Sequence, residues 1–185
     1  MNTEKITDFS QYLVMLDRIS VSDVVLFRGQ RESKPLLPKI ARPNPRVNPE
    51  RSEKAMLGEL RRRAPIYAPD IAGMDDWGAL VYAQHFGMVT RLLDWTQNPL
   101  TGLWFACSNR EKPTSSWGYV FTPPADAFID ARARTSGPFA QGKTKVLKPA
   151  LNNPRIVAQE GWFTVHRHSK TAGAFVPLEQ NGDLK

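Results

Sequence analysis

Apolar residues along the chain switch between a helical and a strand period, and the switches mark out its elements. Phe9, Leu13, Leu16 and Ile19 fall at helical spacing and predict an amphipathic helix over residues 8–19. Val24-Val25-Leu26-Phe27 is a short β-type run, expected to break at Gly29. Met56, Leu57, Leu60 and Ala64 predict a second helix from Glu50 to Ala64 that exposes Arg61, Arg62 and Arg63. A third helix begins near Asp75, which can cap it, and turns Trp77, Leu80, Val81 and Gln84 to one side. Gly87 suits its left-handed terminator. The run from Met88 to Leu93 reads as a strand ending on Asp94. Asn98 and Pro99 then open a helix to about Ser108, with Leu100, Leu103, Trp104 and Cys107 inward. Gly118 to Phe121 is a further strand, closed by Pro123-Pro124. Arg155 to His166 is the last β segment, where Gly161 predicts a bulge or a close backbone approach.

The segments between these elements set the organisation. Residues 30–49 contain five prolines, and residues 123–154 hold Pro, Gly, Ser and Lys with weak periodicity; both read as irregular excursions. The order of elements predicts an α+β fold: a single domain of small mixed or antiparallel sheets flanked by helices. A hydrophobic content of 41% in 185 residues is enough for a core and argues against disorder. No apolar run approaches the roughly 18 residues of a membrane span, and the first residues lack a secretory pattern, so a cytoplasmic protein is expected. Cys107 is the single cysteine, which excludes an internal disulfide and a cysteine-rich metal site. Its apolar surroundings predict a buried, inert thiol.

The net charge of +7 is concentrated in one stretch. Arg28 to Arg63 carries eleven Lys or Arg against four Glu, and the remaining 14 basic and 14 acidic residues cancel. A localised basic surface attracts phosphates, whether in a nucleic acid, in a dinucleotide or on an acidic partner. Arg61, Arg62 and Arg63 are the candidate nucleic-acid contacts; Glu50, Glu53 and Glu59 on the same helix can neutralise part of that charge.

Candidate chemistry gathers at element ends. Arg28 leaves a strand beside Gly29, a geometry suited to bidentate recognition of phosphate or carboxylate; alternatively it pairs with Asp94 or Glu59. Gln30 falls on the same side if the strand continues. Asp94 and Thr96 stand just ahead of a helix N-terminus, an arrangement that builds polar ligand sites, although an Arg91–Asp94 pair that only fixes a turn fits as well. His85 can cap a helix end, pack in the core, or serve as acid and base. Gln159 shares an apolar strand face with Val157, Phe163 and Val165 and needs a partner, while Glu160 points the other way unless Gly161 reverses the register. No His-Glu-x-x-His pattern, Gly-x-Ser-x-Gly element or phosphate-binding Gly-rich loop is present, so no metal is expected.

Phe27-Arg28-Gly29-Gln30, Leu36-Leu37-Pro38, Gln84-His85 with Gly87, Thr90 to Thr96 with Asn98-Pro99, and Ala158-Gln159 with Gly161 and Phe163 resemble the FRG domain. The resemblance runs from about Ser22 to His166 and implies an FRG domain over 21–168, between the helix that the spacing predicts within 1–20 and a polar, patternless tail over 169–185. That family is best known as a domain without an assigned activity. Its element order is similar, more distantly, to an ADP-ribosyltransferase core with a split sheet. The similarity implies NAD as a substrate and no metal. Arg28 would neutralise the diphosphate, with Gln30, Arg91, Asp94, Trp95 and Thr96 as further NAD contacts and Trp95 able to stack on a ring. Gln159 or Glu160, with His85, would take the catalytic positions. The usual Ser-Thr-Ser triplet of such cores is replaced here by Asp94-Trp95-Thr96. The activity implied is ADP-ribosyl transfer to a nucleic acid or protein, or NAD hydrolysis, as in a toxin or phage-defence effector with a cognate inhibitor or chaperone protein. The alternative is a non-catalytic nucleic-acid-binding module built on the basic 28–63 region.

Overall fold

Five segments pair into an antiparallel sheet in the computed structural model, which describes residues 2–19, 24–108, 116–150 and 158–184. They are β1 (Leu26–Gln30), β2 (Leu92–Thr96), β3 (Trp117–Phe121), β4 (Lys145–Leu147) and β5 (Gly161–Val165), in the spatial order β3-β1-β2-β5-β4. Side chains alternate across it, so each face has its own core. Leu26, Leu93, Trp95, Val146 and Trp162 bury one face beneath Leu36 and Leu178. Leu92, Leu147, Phe163 and Val165 bury the other against Trp77, Leu80 and Val81 of helix α3 (Asp76–His85). The architecture is therefore α+β, as the pattern predicts.

The remaining helices are α1 (Phe9–Arg18), α2 (Glu50–Arg63), α4 (Pro99–Cys107) and α5 (Ala131–Ser136). Local chemistry starts and stops them where expected. The Asp75 carboxylate accepts from the Gly78 amide at 2.7 Å to cap α3, and Gly87 ends it at φ +92°. Asn98 caps α4 by accepting from the Leu100 and Thr101 amides. Among the described residues no helix is long and apolar enough to cross a membrane.

Several expectations are corrected. The strand around Arg91 is displaced: residues 88–91 stay outside it, and Asp94, Trp95 and Thr96 are strand residues rather than its end. β1 runs through Gly29 to Gln30 without a break. Gly29 is needed for packing, because a Cβ there would strike the Gly102 carbonyl and the Ala106 backbone of α4, with the Ala106 Cα 2.9 Å away. That close approach also reverses the expected orientation of α4. Gly102 and Ala106 face the strand, while Leu100 and Trp104 are 52% and 61% exposed and Cys107 is exposed rather than buried.

Gly161 carries no bulge. β5 pairs with β2 in unbroken register from Thr96↔Gly161 to Leu92↔Val165, and the irregularity sits one residue earlier, where Glu160 adopts φ 45°. Residues 158–160 form a helical turn, so Gln159 is not on a strand; Val157 and the preceding residues from 151 lie outside the described ones. Residues 123–150 are not a structureless excursion, since they supply α5 and the edge strand β4. The polar tail is ordered as well. β6 (His168–Ser169) and β7 (Ala174–Phe175) form a hairpin, Phe175 is buried on Leu37 and Ala41, and the Leu178 amide donates to the Leu36 carbonyl at 3.1 Å.

Candidate active site

β1 and β2 are paired at one position, Phe27↔Thr96, and a cleft of about 250 Å³ opens beside it. Phe27, Trp95 and Phe105 supply its aromatic lining, and Arg28, Asp94, Thr96 and Gln159 its polar groups. Backbone direction explains how Arg28 comes to lie there. The His166 amide donates to Arg91 and the Gln97 amide to Glu160, so the odd-numbered residues of β2 bond toward β5 and the even-numbered ones toward β1. The Asp94 carbonyl thus faces a strand that has moved away. The Arg28 guanidinium fills that role instead, its Nη1 donating to the Asp94 carbonyl at 2.7 Å.

This leaves Arg28, a partly buried residue, with a neutral hydrogen-bond partner. Its Nε is enclosed and has no hydrogen-bond partner among the described residues. Burial pulls the guanidinium below its ordinary pKa; the Asp94 carboxylate works in the opposite direction, and Arg42 adds to the depression. The expected pairing with a carboxylate does not form: Arg28 reaches the Asp94 backbone, and Glu59 is occupied elsewhere.

The Asp94 side chain lies on the opposite face of β2 from Trp95 and is exposed. Its Oδ1 accepts from Gln84 Nε2 at 2.8 Å. Gln84 is itself oriented, because its Oε1 accepts from the buried Thr90 hydroxyl, which in turn accepts from the Leu92 amide at 3.1 Å. Thr96 locks the floor of the cleft, donating to the Gln159 carbonyl at 2.6 Å and accepting from the Asn98 amide at 3.0 Å. A second hollow of about 340 Å³, lined by Leu100, Thr101 and Trp104, adjoins the cleft through the shared residues Phe105 and Gln159.

The sequence candidates therefore divide. Arg28, Asp94, Trp95, Thr96 and Gln159 come together, with Trp95 buried in the core and its Nε1 donating to Thr164 at 3.1 Å, a posture that leaves its ring as wall rather than as a free stacking surface. Glu160 is exposed and outside the lining. Gln30 shares the face of Arg28, yet its amide closes a turn onto the Lys34 carbonyl at 3.1 Å. His85 stands edge-on to Phe163, also outside the lining.

Arg91 is corrected outright. It pairs with neither ligand space nor Asp94, and its guanidinium is sealed against Glu53 at 2.8 Å and over the Phe139 ring. Burial pushes the Glu53 carboxyl up, while the Arg91 charge and its backbone and side-chain hydrogen bonds draw it down. Glu53 was expected to balance surface arginines; instead it is fully buried. The surface triplet is balanced by others: Arg62 and Arg63 both pair with Glu59 at 2.8 Å, and Arg61 with Asp76 at 2.9 Å. Phe105 and Gln84 are the site residues that sequence reasoning passed over. Gln84 falls in one of the family blocks, Gln84-His85 with Gly87, and Phe105 in the helix that Asn98-Pro99 opens.

Residues 23–115 match the FRG domain family, a stretch that holds Arg28, Gln84, Asp94, Trp95, Thr96 and Phe105 but not Gln159. No curated protein and no solved structure matches the chain. The family match spans half of the sequence and coincides with β1, α2, α3, β2 and α4, and on that ground the chain belongs to the FRG domain family.

Proposed function

We propose that the cleft between β1 and β2 binds NAD and that the protein cleaves its nicotinamide–ribose bond, passing ADP-ribose to a macromolecular acceptor or to water. The observation that carries this reading is Arg28, a partly buried guanidinium with a neutral carbonyl partner and an enclosed, unpartnered Nε, in the same cleft as Asp94, Thr96 and Gln159. An anionic diphosphate supplies the missing counter-charge through charge-assisted hydrogen bonds. The adjoining hollow beneath Trp104 and Phe105 gives a planar ring an apolar surface continuous with that anion site.

In the reaction the C1′–N bond breaks and nicotinamide leaves with the electron pair. Positive charge builds on the ribose until an acceptor oxygen or nitrogen bonds to C1′ and releases a proton. The net charge of +7 suits a nucleic acid or an acidic protein as acceptor, and a cytoplasmic toxin or defence effector as the setting. Incubation with nicotinamide-labelled NAD, alone and with RNA, DNA and acidic proteins, tests the proposal, alongside NAD binding by calorimetry. Release of nicotinamide by the wild type and loss of NAD binding in Arg28→Gln are expected. An absence of both binding and release across these acceptors refutes it.

A further inference from the structure

We infer that Asp94, on β2, is the carboxylate that stabilises the positive ribose, and that Gln84 is its positioning residue; this rests on the NAD reading above. Among the described residues the cleft lining contains one carboxylate, and it is Asp94 rather than Glu160. A reaction that builds positive charge needs a negative group fixed beforehand, because reorientation during the reaction would consume the stabilisation. Asp94 is fixed in that way. Gln84 Nε2 donates to its Oδ1, the Thr90 hydroxyl holds the other end of the Gln84 amide, and the Leu92 amide holds Thr90. Oδ2 has no protein partner among the described residues.

The chain of contacts also has a direction. Gln84 presents its donor end to Asp94 because its acceptor end is taken by Thr90, so the carboxylate receives a hydrogen bond without being neutralised by a cation. Arg28 sits close by, yet it contacts the Asp94 backbone and not its carboxylate, which keeps the two charges available for two parts of one ligand. Both residues line the cleft, the diphosphate falling to the first and the ribose to the second.

The test compares the wild type with Asp94→Asn, Glu160→Gln and Gln84→Glu, measuring NAD affinity, nicotinamide release and its pH profile. Asn at 94 keeps an oxygen for Gln84, so folding is preserved while the charge is lost. At least a 100-fold fall in kcat, with NAD affinity changed by less than about threefold, is expected. Glu at 84 puts a like charge against Asp94 and moves the acid limb of the kcat profile to higher pH, a shift that a merely structural role would not produce. Activity that survives in Asp94→Asn but is lost in Glu160→Gln overturns the assignment and leaves the NAD reading standing. A wild type that releases no nicotinamide overturns both.

Discussion

Acid should weaken this fold through His166, and by a predictable amount. The residue follows β5 and is 1% exposed. Burial, reinforced by the Arg28 charge, holds its imidazole down to about 3 from the ordinary 6.5. The hydrogen-bond chain agrees with a neutral ring. Trp95 Nε1 donates to the Thr164 hydroxyl, which also bonds His166 Nε2 at 3.0 Å, and the ring Nδ1 is enclosed with no hydrogen-bond partner among the described residues, so a second ring proton has nothing to receive it. The folded pKa lies below the unfolded one, so the unfolded chain takes up a proton that the folded chain refuses. The stability contribution is complete above the unfolded value and is lost as pH falls from 6.5 toward 3. Between pH 7 and pH 5 that difference amounts to about 2 kcal/mol.

Urea unfolding at those two pH values measures it, with His166→Gln as the comparison. The variant should lose about 2 kcal/mol less than the wild type on acidification, since the proton-binding site has gone. Ring nitrogen shifts in an NMR titration read the same quantity directly and do not depend on the variant folding. Equal losses in the two proteins, or a His166 ring that titrates near its ordinary value, would refute the argument. The cleft is implicated as well, because the same bonds hold Trp95, part of its wall.

Three further outcomes follow from packing. Glu53→Ala leaves the Arg91 guanidinium buried without its partner and should cost about 3–5 kcal/mol in urea unfolding. Gly29→Ala drives a methyl group into the α4 backbone and should cost about 3 kcal/mol, lowering the melting temperature by circular dichroism. Asn98→Ala removes an oxygen that accepts from two α4 amides and should cost about 1 kcal/mol, with nicotinamide release reduced if the α4 start shapes the cleft.

Features set by adjacent residues were legible in the sequence, and features set by partners far along the chain were not. Asp75, Asn98-Pro99 and Gly87 act within one helical turn, so the starts of α3 and α4 and the end of α3 could be read directly. Arg28, Asp94, Thr96 and Gln159 were identified by residue type at element ends and by family resemblance, and they converge. The fate of Arg91 depended on Glu53, 38 positions away, and nothing local distinguishes a carboxylate that faces solvent from one that enters the core. The α4 face was misjudged for a similar reason. Hydrophobicity favoured Leu100 and Trp104 inward, but the space beneath the helix is set by a glycine on β1. The 169–185 tail lacks periodicity because its anchors, Phe175 and Leu178, are spaced by a turn rather than by a repeat.

The close seat of α4 on β1 also accounts for the form of the cleft. Gly29 and Gly102 allow helix and strand backbones to touch, and neither admits a Cβ without collision, Gly102 meeting the Phe27 Cβ at 2.9 Å. A helix seated that closely must present its small residues to the sheet and its large ones to the outside. Phe105 and Trp104 then stand over the opening where β1 and β2 part, and the Tyr12 hydroxyl fixes the start of the helix by donating to the Pro99 carbonyl at 2.7 Å. The exposed aromatics are therefore a consequence of backbone contact beneath them. A larger residue at position 29 would lift α4 away from the strand, and with it the apolar wall that faces Arg28. On this account the glycine next to Arg28 matters to ligand binding through packing, and a Gly29→Ala protein that remains folded should bind NAD more weakly even with Arg28, Asp94 and Gln159 intact. Calorimetry on the folded variant decides the point: unaltered NAD affinity would separate the helix seat from the site.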